Sequence, residues 1–239
     1  MNGRLNGRWM LGVLTALAVS PVLAQPQVAD LRAREVLSSP AFMANHPDMR
    51  YRQLGHQAQA DGRMSEARDH FRAAARYADK LSQAALAELW WSGQGGPTDR
   101  ALGYAWMDLA AERGTPLLLV QRERYWAALD PTERERALTE GRALYAEFGD
   151  PTAQPRLERE LRAGLRRVTG SRTGSVPRME MFVREHRGAR TVDADAFYQD
   201  DYWQPDRYWQ WKAAELARVG GGNGTVDVGP ATTVRSPID

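Results

Sequence analysis

The sequence predicts an all-α fold of stacked helix pairs, a solenoid, followed by an irregular C-terminal extension. From residue 28 to about residue 165, apolar residues recur every three or four positions, the period of an amphipathic helix. Strand-like runs of Val, Ile and Thr are missing from this region. Residues of like type also recur 35 positions apart. With 239 residues, 43% of them hydrophobic, the chain is long enough to bury a core in one or two domains.

Residues 1–24 have the layout of a secretory signal peptide. Arg4 and Arg8 precede an almost wholly apolar run over residues 9–19, and the small residue Ala24 ends the segment. The apolar stretch is shorter than the roughly 20 residues that a transmembrane helix needs. We therefore expect cleavage after Ala24, a periplasmic or secreted protein, and no transmembrane anchor in the mature chain.

Composition excludes several classes of site and partner. The chain has no cysteine, which rules out disulfides, iron–sulfur clusters, thiolate zinc sites and cysteine nucleophiles. Residues 1–24 contain two of the 32 basic residues and none of the 30 acidic ones, so the mature chain has no formal net charge. Nucleic acid is not expected as a partner, because binding it requires a sustained basic surface.

Turn and capping residues divide the body into eight predicted helices. Gly62 ends one helix, and Thr115, Asp130 and Asp150 each precede a proline, the pattern of a capping residue before the first helical turn. Glu133 adds the second half of a capping box. The predicted helices span residues 28–38, 48–61, 64–78, 80–92, 98–113, 116–128, 131–148 and 152–167.

The 35-residue period relates residues of similar type in one register. It joins Phe71 to Trp106, Trp90 to Tyr125, Ala75 to Ala110, Leu54 to Leu89, and Asp79 to Gly114 and Gly149. A recurring helix pair favours a stacked solenoid. A plain helical bundle is the alternative.

The second unit carries a recognisable motif. It reads Leu89-Trp90-Trp91-Ser92-Gly93-Gln94-Gly95-Gly96, followed by Asp99, Gly103, Trp106, Ala110-Ala111 and Gly114. This pattern resembles a Sel-one-like repeat, a relative of the tetratricopeptide repeat, over residues 81–114. The likeness weakens on both sides, and Gly103 stands where the family usually has alanine. The resemblance implies a short right-handed α–α superhelix over residues 48–167, whose concave surface binds a protein or peptide in the bacterial cell envelope, and it implies no reaction.

The residues of the motif have mechanical roles of their own. Gly93 and Gly95 permit the positive φ values of a tight turn between helices. Asp99 is suited to the N-terminus of the next helix. Paired alanines at 110 and 111 let helices approach closely, and Trp106 fills the space between neighbouring pairs.

After residue 165 the composition changes. Residues 168–192 are predicted to form an arginine-rich connector, with a short strand or extended segment at 179–183. The glycine-rich stretch 169–175 lacks the lysine and spacing of a phosphate-binding loop. The arginines either compensate the acidic stretch that follows or contact anionic polymers such as lipid headgroups. Residues 220–239 are predicted as a flexible tail.

Residues 193–219 form an aromatic and acidic segment that ends in a helix over 206–218. Its seven rings within 15 positions are Phe197, Tyr198, Tyr202, Trp203, Tyr208, Trp209 and Trp211. They either pack against the last helix pair as a cap or form a binding surface. A sugar platform would use the rings of Tyr202, Trp203, Tyr208 and Trp209 beside the carboxylates of Asp200 and Asp201.

The sequence offers little for catalysis. The four histidines, His46, His56, His70 and His186, show no metal-ligand spacing, although His56 and His70 could face each other across a helix hairpin. Adjacent carboxylates at 200 and 201 diverge in most backbones. We therefore expect no enzymatic activity, no cofactor and no metal.

Together these observations predict an exported, non-enzymatic scaffold or adaptor. The N-terminal helix and lead-in occupy residues 25–47, and a protein or peptide partner binds in the repeat groove. Trp91, Tyr104 and Tyr125 are the predicted groove residues, whereas Trp90 and Trp106 are assigned to the core. The alternative is a peptidoglycan or polysaccharide binding protein that uses the C-terminal aromatic cluster.

Overall fold

The computed structural model describes residues 25–169, 181–185, 188–192 and 194–219. The predicted signal peptide, the glycine-rich stretch after residue 169 and the tail after residue 219 lie outside these ranges, as does His186. Within the described part of the chain the structure is mostly helical, which confirms the all-α character. None of the helices that the structure describes is both long enough and apolar enough to cross a bilayer.

Twelve helices and one antiparallel hairpin make up the described residues. They are α1 (Gln25–Leu37), α2 (Pro40–Met43), α3 (Pro47–Ala60), α4 (Met64–Ala75), α5 (Lys80–Ser92), α6 (Arg100–Ala110), α7 (Pro116–Ala128), α8 (Pro131–Phe148), α9 (Asp150–Thr169), β1 (Met181–Glu185), β2 (Gly188–Val192), α10 (Ala194–Phe197), α11 (Asp200–Trp203) and α12 (Pro205–Val219). A single 3-10 turn, Ala111–Arg113, extends α6.

The helix starts follow the capping residues in most places. The Asp99 carboxylate accepts the Leu102 N–H at the start of α6, and Asp130 and Glu133 form the capping box of α8. Thr115 makes no side-chain capping bond at α7. Asp150 is itself the first residue of α9, so the prediction that it caps this helix is wrong. Its carboxylate instead binds a neighbouring arginine and lysine, as described below.

Two glycine positions determine how the loop after α5 packs. Gly93 and Gly95 have φ values of +73° and +83°, which confirms the predicted turn. A Cβ at Gly95 would lie 2.5 Å from the backbone of Met64, so the loop rests directly on the start of α4. A Cβ at Gly103 would lie 3.0 Å from the Trp91 backbone nitrogen, which explains why this position has glycine.

Residues related by the 35-residue period share one core. Phe71 and Trp106 are both buried in it, and the Trp106 ring meets Phe148 edge-on at 4.8 Å between centroids. Ala75 and Ala110 are fully buried, which lets the paired helices approach closely. Helix α3 packs on α4, α5 on α6, and α8 on the other side of α6.

The C-terminal extension packs on the beginning of the chain. Phe197, Tyr202 and Trp203 share a buried cluster with Phe42 of α2 and Val36 of α1. Tyr208 is buried with two leucines of α9. The rings therefore act as a cap. They cover α9, which belongs to the last helix pair that the sequence led us to expect, and in addition the N-terminal helices α1 and α2.

The connector contains more structure than the sequence predicts. The expected extended segment is found as β1, and it pairs antiparallel with β2, with Met181 opposite Val192 and Glu185 opposite Gly188. The glycine and arginine content of β2 gave no strand pattern. Backbone pairing with β1 stabilises an extended conformation in β2 that the residues of β2 do not favour alone.

Candidate partner-binding cleft

A cleft of about 420 Å³ lies between α4, α5, α6 and α8. Its volume is within the roughly 300–1,000 Å³ typical of ligand sites. The floor is apolar and consists of Leu86, Trp90, Leu102, Trp106 and Leu144. One wall is polar and comes from α4, with Ser65, Arg68, Asp69 and Arg72.

Helix α4 presents the two arginines together because they are one turn apart. Residues four apart on a helix lie on the same face, with Cβ atoms about 5–6 Å from each other. The neighbouring face of α4 buries Ala67 and Phe71 in the core. Arg68 and Arg72 thus stand at the border between core and solvent, where the cleft opens.

Arg68 is a buried cation in this wall. Arg68 is only 7% exposed, and its guanidinium carbon lies 4.0 Å from the centroid of the Trp90 ring. Nη2 donates to the backbone oxygen of Leu89 at 2.6 Å and to that of Pro97 at 3.5 Å. Nε is buried and has no hydrogen-bond partner. Burial lowers the pKa of the guanidinium, which nevertheless stays charged.

The glycine loop makes room for this guanidinium. A Cβ at Gly96 would lie 2.7 Å from Nη1 of Arg68. The segment that the sequence identified as a turn therefore has a second role, since it lines the cleft and leaves the space that the guanidinium of Arg68 occupies. Any side chain at Gly96 would have to displace Arg68.

Arg72 extends the positive wall toward α8. It is exposed, and its guanidinium carbon lies 5.8 Å from the centroid of the Phe148 ring. Within the described part of the chain, neither Arg68 nor Arg72 has a carboxylate within 4.0 Å. Asp69 is the acidic residue of the lining, so the side chains of the cleft carry two positive charges against one negative charge.

The predicted groove residues occupy a different place. Trp91 and Tyr125 stack with ring centroids 3.8 Å apart, and Tyr104 lies 5.0 Å from Trp126. Tyr125 is only 3% exposed and its hydroxyl donates to Glu88. The structure thus brings Trp91 and Tyr125 together as packing between α5 and α7. The lining of the cleft includes none of the three predicted residues.

Trp90 and Trp106, assigned to the core from the sequence, form part of the cleft floor. Trp106 is buried and Trp90 is half-buried beneath Arg68. Sequence reasoning missed the two arginines of α4. The available signal was their four-residue spacing beside the buried Ala67 and Phe71, a pattern that is common on solvated helix faces.

The aromatic residues of the C-terminal extension do not form an open stacking face. Tyr202, Trp203 and Tyr208 are at most 4% exposed. The indole of Trp203 donates to the backbone oxygen of Phe197 at 2.7 Å, and the half-buried Trp209 donates to Glu158 at 3.2 Å. Asp200 and Asp201 are exposed, so the predicted carboxylates lie at the surface while the predicted rings face the interior.

A buried charge network holds α12 on the body. We call it the α12 network and define it as Asp48, Arg52, Asp79, Tyr208, Lys212 and Glu215. Lys212 is 4% exposed, and its Nζ lies 3.0 Å from Asp79, 3.4 Å from Asp48 and 2.9 Å from Glu215. The hydroxyl of Tyr208 donates to Asp48 at 2.6 Å.

Arg52 completes the α12 network from α3. Its two Nη atoms lie 3.3 Å from Asp79 and 2.7 Å from Glu215. Burial opposes ionisation of both carboxyls, yet Lys212 and Arg52 together hold the pKa of Asp79 and that of Glu215 below their ordinary values. The network therefore fixes α12 against α3 and the start of α5.

A second buried group joins α5 to α9. Nζ of Lys80 lies 2.5 Å from Glu112 and 3.1 Å from Asp150, and Arg113 binds Asp150 through Nε at 2.8 Å and Nη2 at 3.0 Å. These pairs explain why Asp150 does not serve as a capping residue. They stabilise the contact between helices, and none of their residues is part of the cleft lining.

The histidines do not form a common site. His46 is buried against Phe42, and its ring nitrogens lie 2.8 Å from the Phe42 oxygen and 2.9 Å from the Tyr202 oxygen. Burial lowers the pKa of His46. His70 pairs with Glu66 at 3.4 Å, whereas His56 packs on Phe71. The described residues contain no group of three or more His, Asp or Glu side chains placed to hold a metal ion.

The lining of the cleft combines apolar and polar groups. Its chemistry is an apolar floor, a positively charged wall and one hydroxyl, that of Ser65, which is exposed on α4. Comparison with known proteins finds no matching family model, no matching curated protein and no matching solved structure.

Proposed function

We propose that the mature chain is an exported, non-enzymatic adaptor that binds a peptide segment of a partner protein in the cleft between α4, α5, α6 and α8. The observation that carries the proposal is the apolar floor within a concavity of about 420 Å³. Trp90 and Leu144 are only half-buried there, and half-buried aromatic and aliphatic side chains in a concavity are typical anchors for a partner.

The motif in residues 81–114 supports the proposal. It resembles a Sel-one-like repeat, a family that implies a right-handed superhelix with a partner-binding concave face. The shared burial of Phe71 and Trp106, which are 35 residues apart, agrees with repeated helix pairs. Export to the periplasm is part of the same proposal and depends on the signal-like segment 1–24.

The cleft is preferred to the C-terminal rings as the binding surface. Sugar recognition requires an open ring face, and Tyr202, Trp203 and Tyr208 are packed inside the extension. The structure provides no observation that favours the polysaccharide alternative.

Site-specific photo-crosslinking tests the proposed function. Photo-reactive benzoylphenylalanine is placed at Leu144, in the cleft, or at Leu138, which is 52% exposed on the same helix but outside the lining. Irradiation of cells that export the full chain is expected to give a discrete protein adduct from position 144 and none from position 138. No adduct at 144, or the same adduct at both positions, would contradict the proposal.

A further inference from the structure

We infer that the occupant of the cleft is a peptide segment that carries an aspartate or glutamate side chain next to an apolar side chain, and that Arg68 and Arg72 bind its carboxylate. This inference rests on the proposed function and specifies the chemistry of the partner. It follows from the charge of the wall, the donors that are still available and the apolar floor beneath them.

Arg68 differs from Arg52, the other buried arginine at a helix contact among the described residues, in having no carboxylate partner. Arg52 is buried to a similar extent, and it has Asp79 and Glu215 as partners. Half-buried Arg113 has Asp150. Arg68 has backbone oxygens on Nη2 and no carboxylate within 4.0 Å among the described residues. A buried charge without a counter-charge is unfavourable, and a ligand carboxylate would relieve it.

The donors of Arg68 are only partly used. A guanidinium has five N–H groups in a planar fork that matches a carboxylate. In Arg68 only Nη2 donates to a described acceptor, Nε is buried without a hydrogen-bond partner among the described residues, and Nη1 lies against Gly96. Arg72, one turn further along α4, adds a second cation with no paired carboxylate among the described residues.

The floor requires an apolar group attached to that carboxylate. The half-buried side chains of Trp90, Leu102 and Leu144 lie beside the two arginines in the same cleft. A bare carboxylate would leave this surface in contact with water, whereas an adjacent leucine or aromatic side chain would cover it. The combination of a paired charge and a covered apolar floor fits an acidic residue inside a peptide, with its neighbour on the floor.

A peptide library tests the inference. The probe is a pool of octapeptides, acetylated and amidated at their ends, with the four central positions randomised, and the target is the full mature chain. We expect the bound fraction to be enriched in Asp or Glu next to Leu, Phe or Trp. In a selected peptide, replacing the acidic residue by its amide should weaken binding about tenfold or more, as expected for a charge-assisted hydrogen bond.

Arg72→Gln is the decisive variant because Arg72 is exposed and its loss does not disturb the core. It should abolish the acidic preference and keep the apolar preference. Arg159→Gln removes the same charge from an exposed position on α9, outside the cleft, and should change neither preference. Arg68→Gln should act like Arg72→Gln, with its circular dichroism spectrum checked against the unmodified chain.

The possible outcomes distinguish failure of the carboxylate inference from failure of the proposed function. Apolar enrichment without an acidic preference, or equal loss in Arg159→Gln and Arg72→Gln, would overturn the carboxylate inference and leave peptide binding in the cleft intact. Binding that appears only when the amidated end is replaced by a free carboxylate would also overturn it, since the chain end would then be the ligand. No enrichment of any peptide would overturn the proposed function as well.

Discussion

Replacing Lys212 by methionine tests whether the α12 network holds the C-terminal extension on the body. Methionine keeps most of the apolar stem and removes the charge. Lys212 is 4% exposed and lies within 3.4 Å of three carboxylates, from Asp48, Asp79 and Glu215. The substitution therefore leaves negative charge inside the protein without its central cation.

The expected loss of stability depends on which of the three carboxylates keep a partner after Lys212 is replaced. Removing one member of a buried ion pair costs about 3–5 kcal/mol. Asp79 keeps Arg52 and the donors of Ser82, whereas Asp48 keeps only the Tyr208 hydroxyl at 2.6 Å. We expect a loss near the lower end, about 3 kcal/mol in the free energy of unfolding. For a chain of this size the corresponding fall in Tm is about 6–12 °C.

Urea unfolding followed by tryptophan fluorescence measures this loss, and equal slopes for the two proteins validate the comparison. Arg207→Met is the matched control, because Arg207 forms an exposed pair with Asp201 at 3.6 Å and should change stability by less than about 0.5 kcal/mol. A loss below about 1 kcal/mol, or one no larger than that of the control, would refute the reasoning.

Three further expectations concern pH, the loop after α5 and the cleft. In the folded protein the pKa values of Asp79 and Glu215 lie below their ordinary values of 3.8 and 4.5. The stabilisation from these two carboxylates is therefore complete above the ordinary values and is lost as the pH falls through the lower folded-state values. Thermal melts from pH 6 to pH 2 should show a falling Tm, and a rising Tm would contradict this. Gly95→Ala should destabilise the protein by more than about 2 kcal/mol, because it adds a clash with the Met64 backbone to the cost of a positive φ. Gly62 also has a positive φ but has open space around it, so Gly62→Ala should cost only about 1–2 kcal/mol. Equal losses in urea unfolding would show that the loop does not pack closely on α4. Peptide selection by the cleft should lose its acidic preference when the arginines of α4 are replaced, as measured with the library above.

The sequence predicted the local structure of the helical body well, because the signals act over a few residues. Helices α5, α7 and α8 begin and end at the predicted residues. Asp130 and Glu133 bond to each other's backbone across three positions, and Gly93 adopts the positive φ that its lack of a Cβ allows. Asp150 was misread because the pattern before a proline does not show that a distant arginine competes for its carboxylate.

The candidate cleft could not be predicted in the same way. Arg68 and Arg72 resemble ordinary solvated positions on a helix, and only the approach of α5, the glycine loop and α8 makes them the wall of a concavity. The aromatic residues proposed as groove lining, Trp91 and Tyr125, meet each other instead. The sequence predicts that these aromatic side chains are buried, but it does not show which residues cover them.

The sequence by itself thus determined the helical class, the bounds of α5, α7 and α8 and the turn chemistry, since backbone hydrogen bonds and φ preferences depend on near neighbours. Tertiary structure alone decided that the C-terminal rings are a cap and that α12 is fixed by buried charges. Tyr208 and Asp48, 160 positions apart, are joined by a hydrogen bond of 2.6 Å. Contacts of that separation depend on how whole helices pack, and no local pattern encodes them.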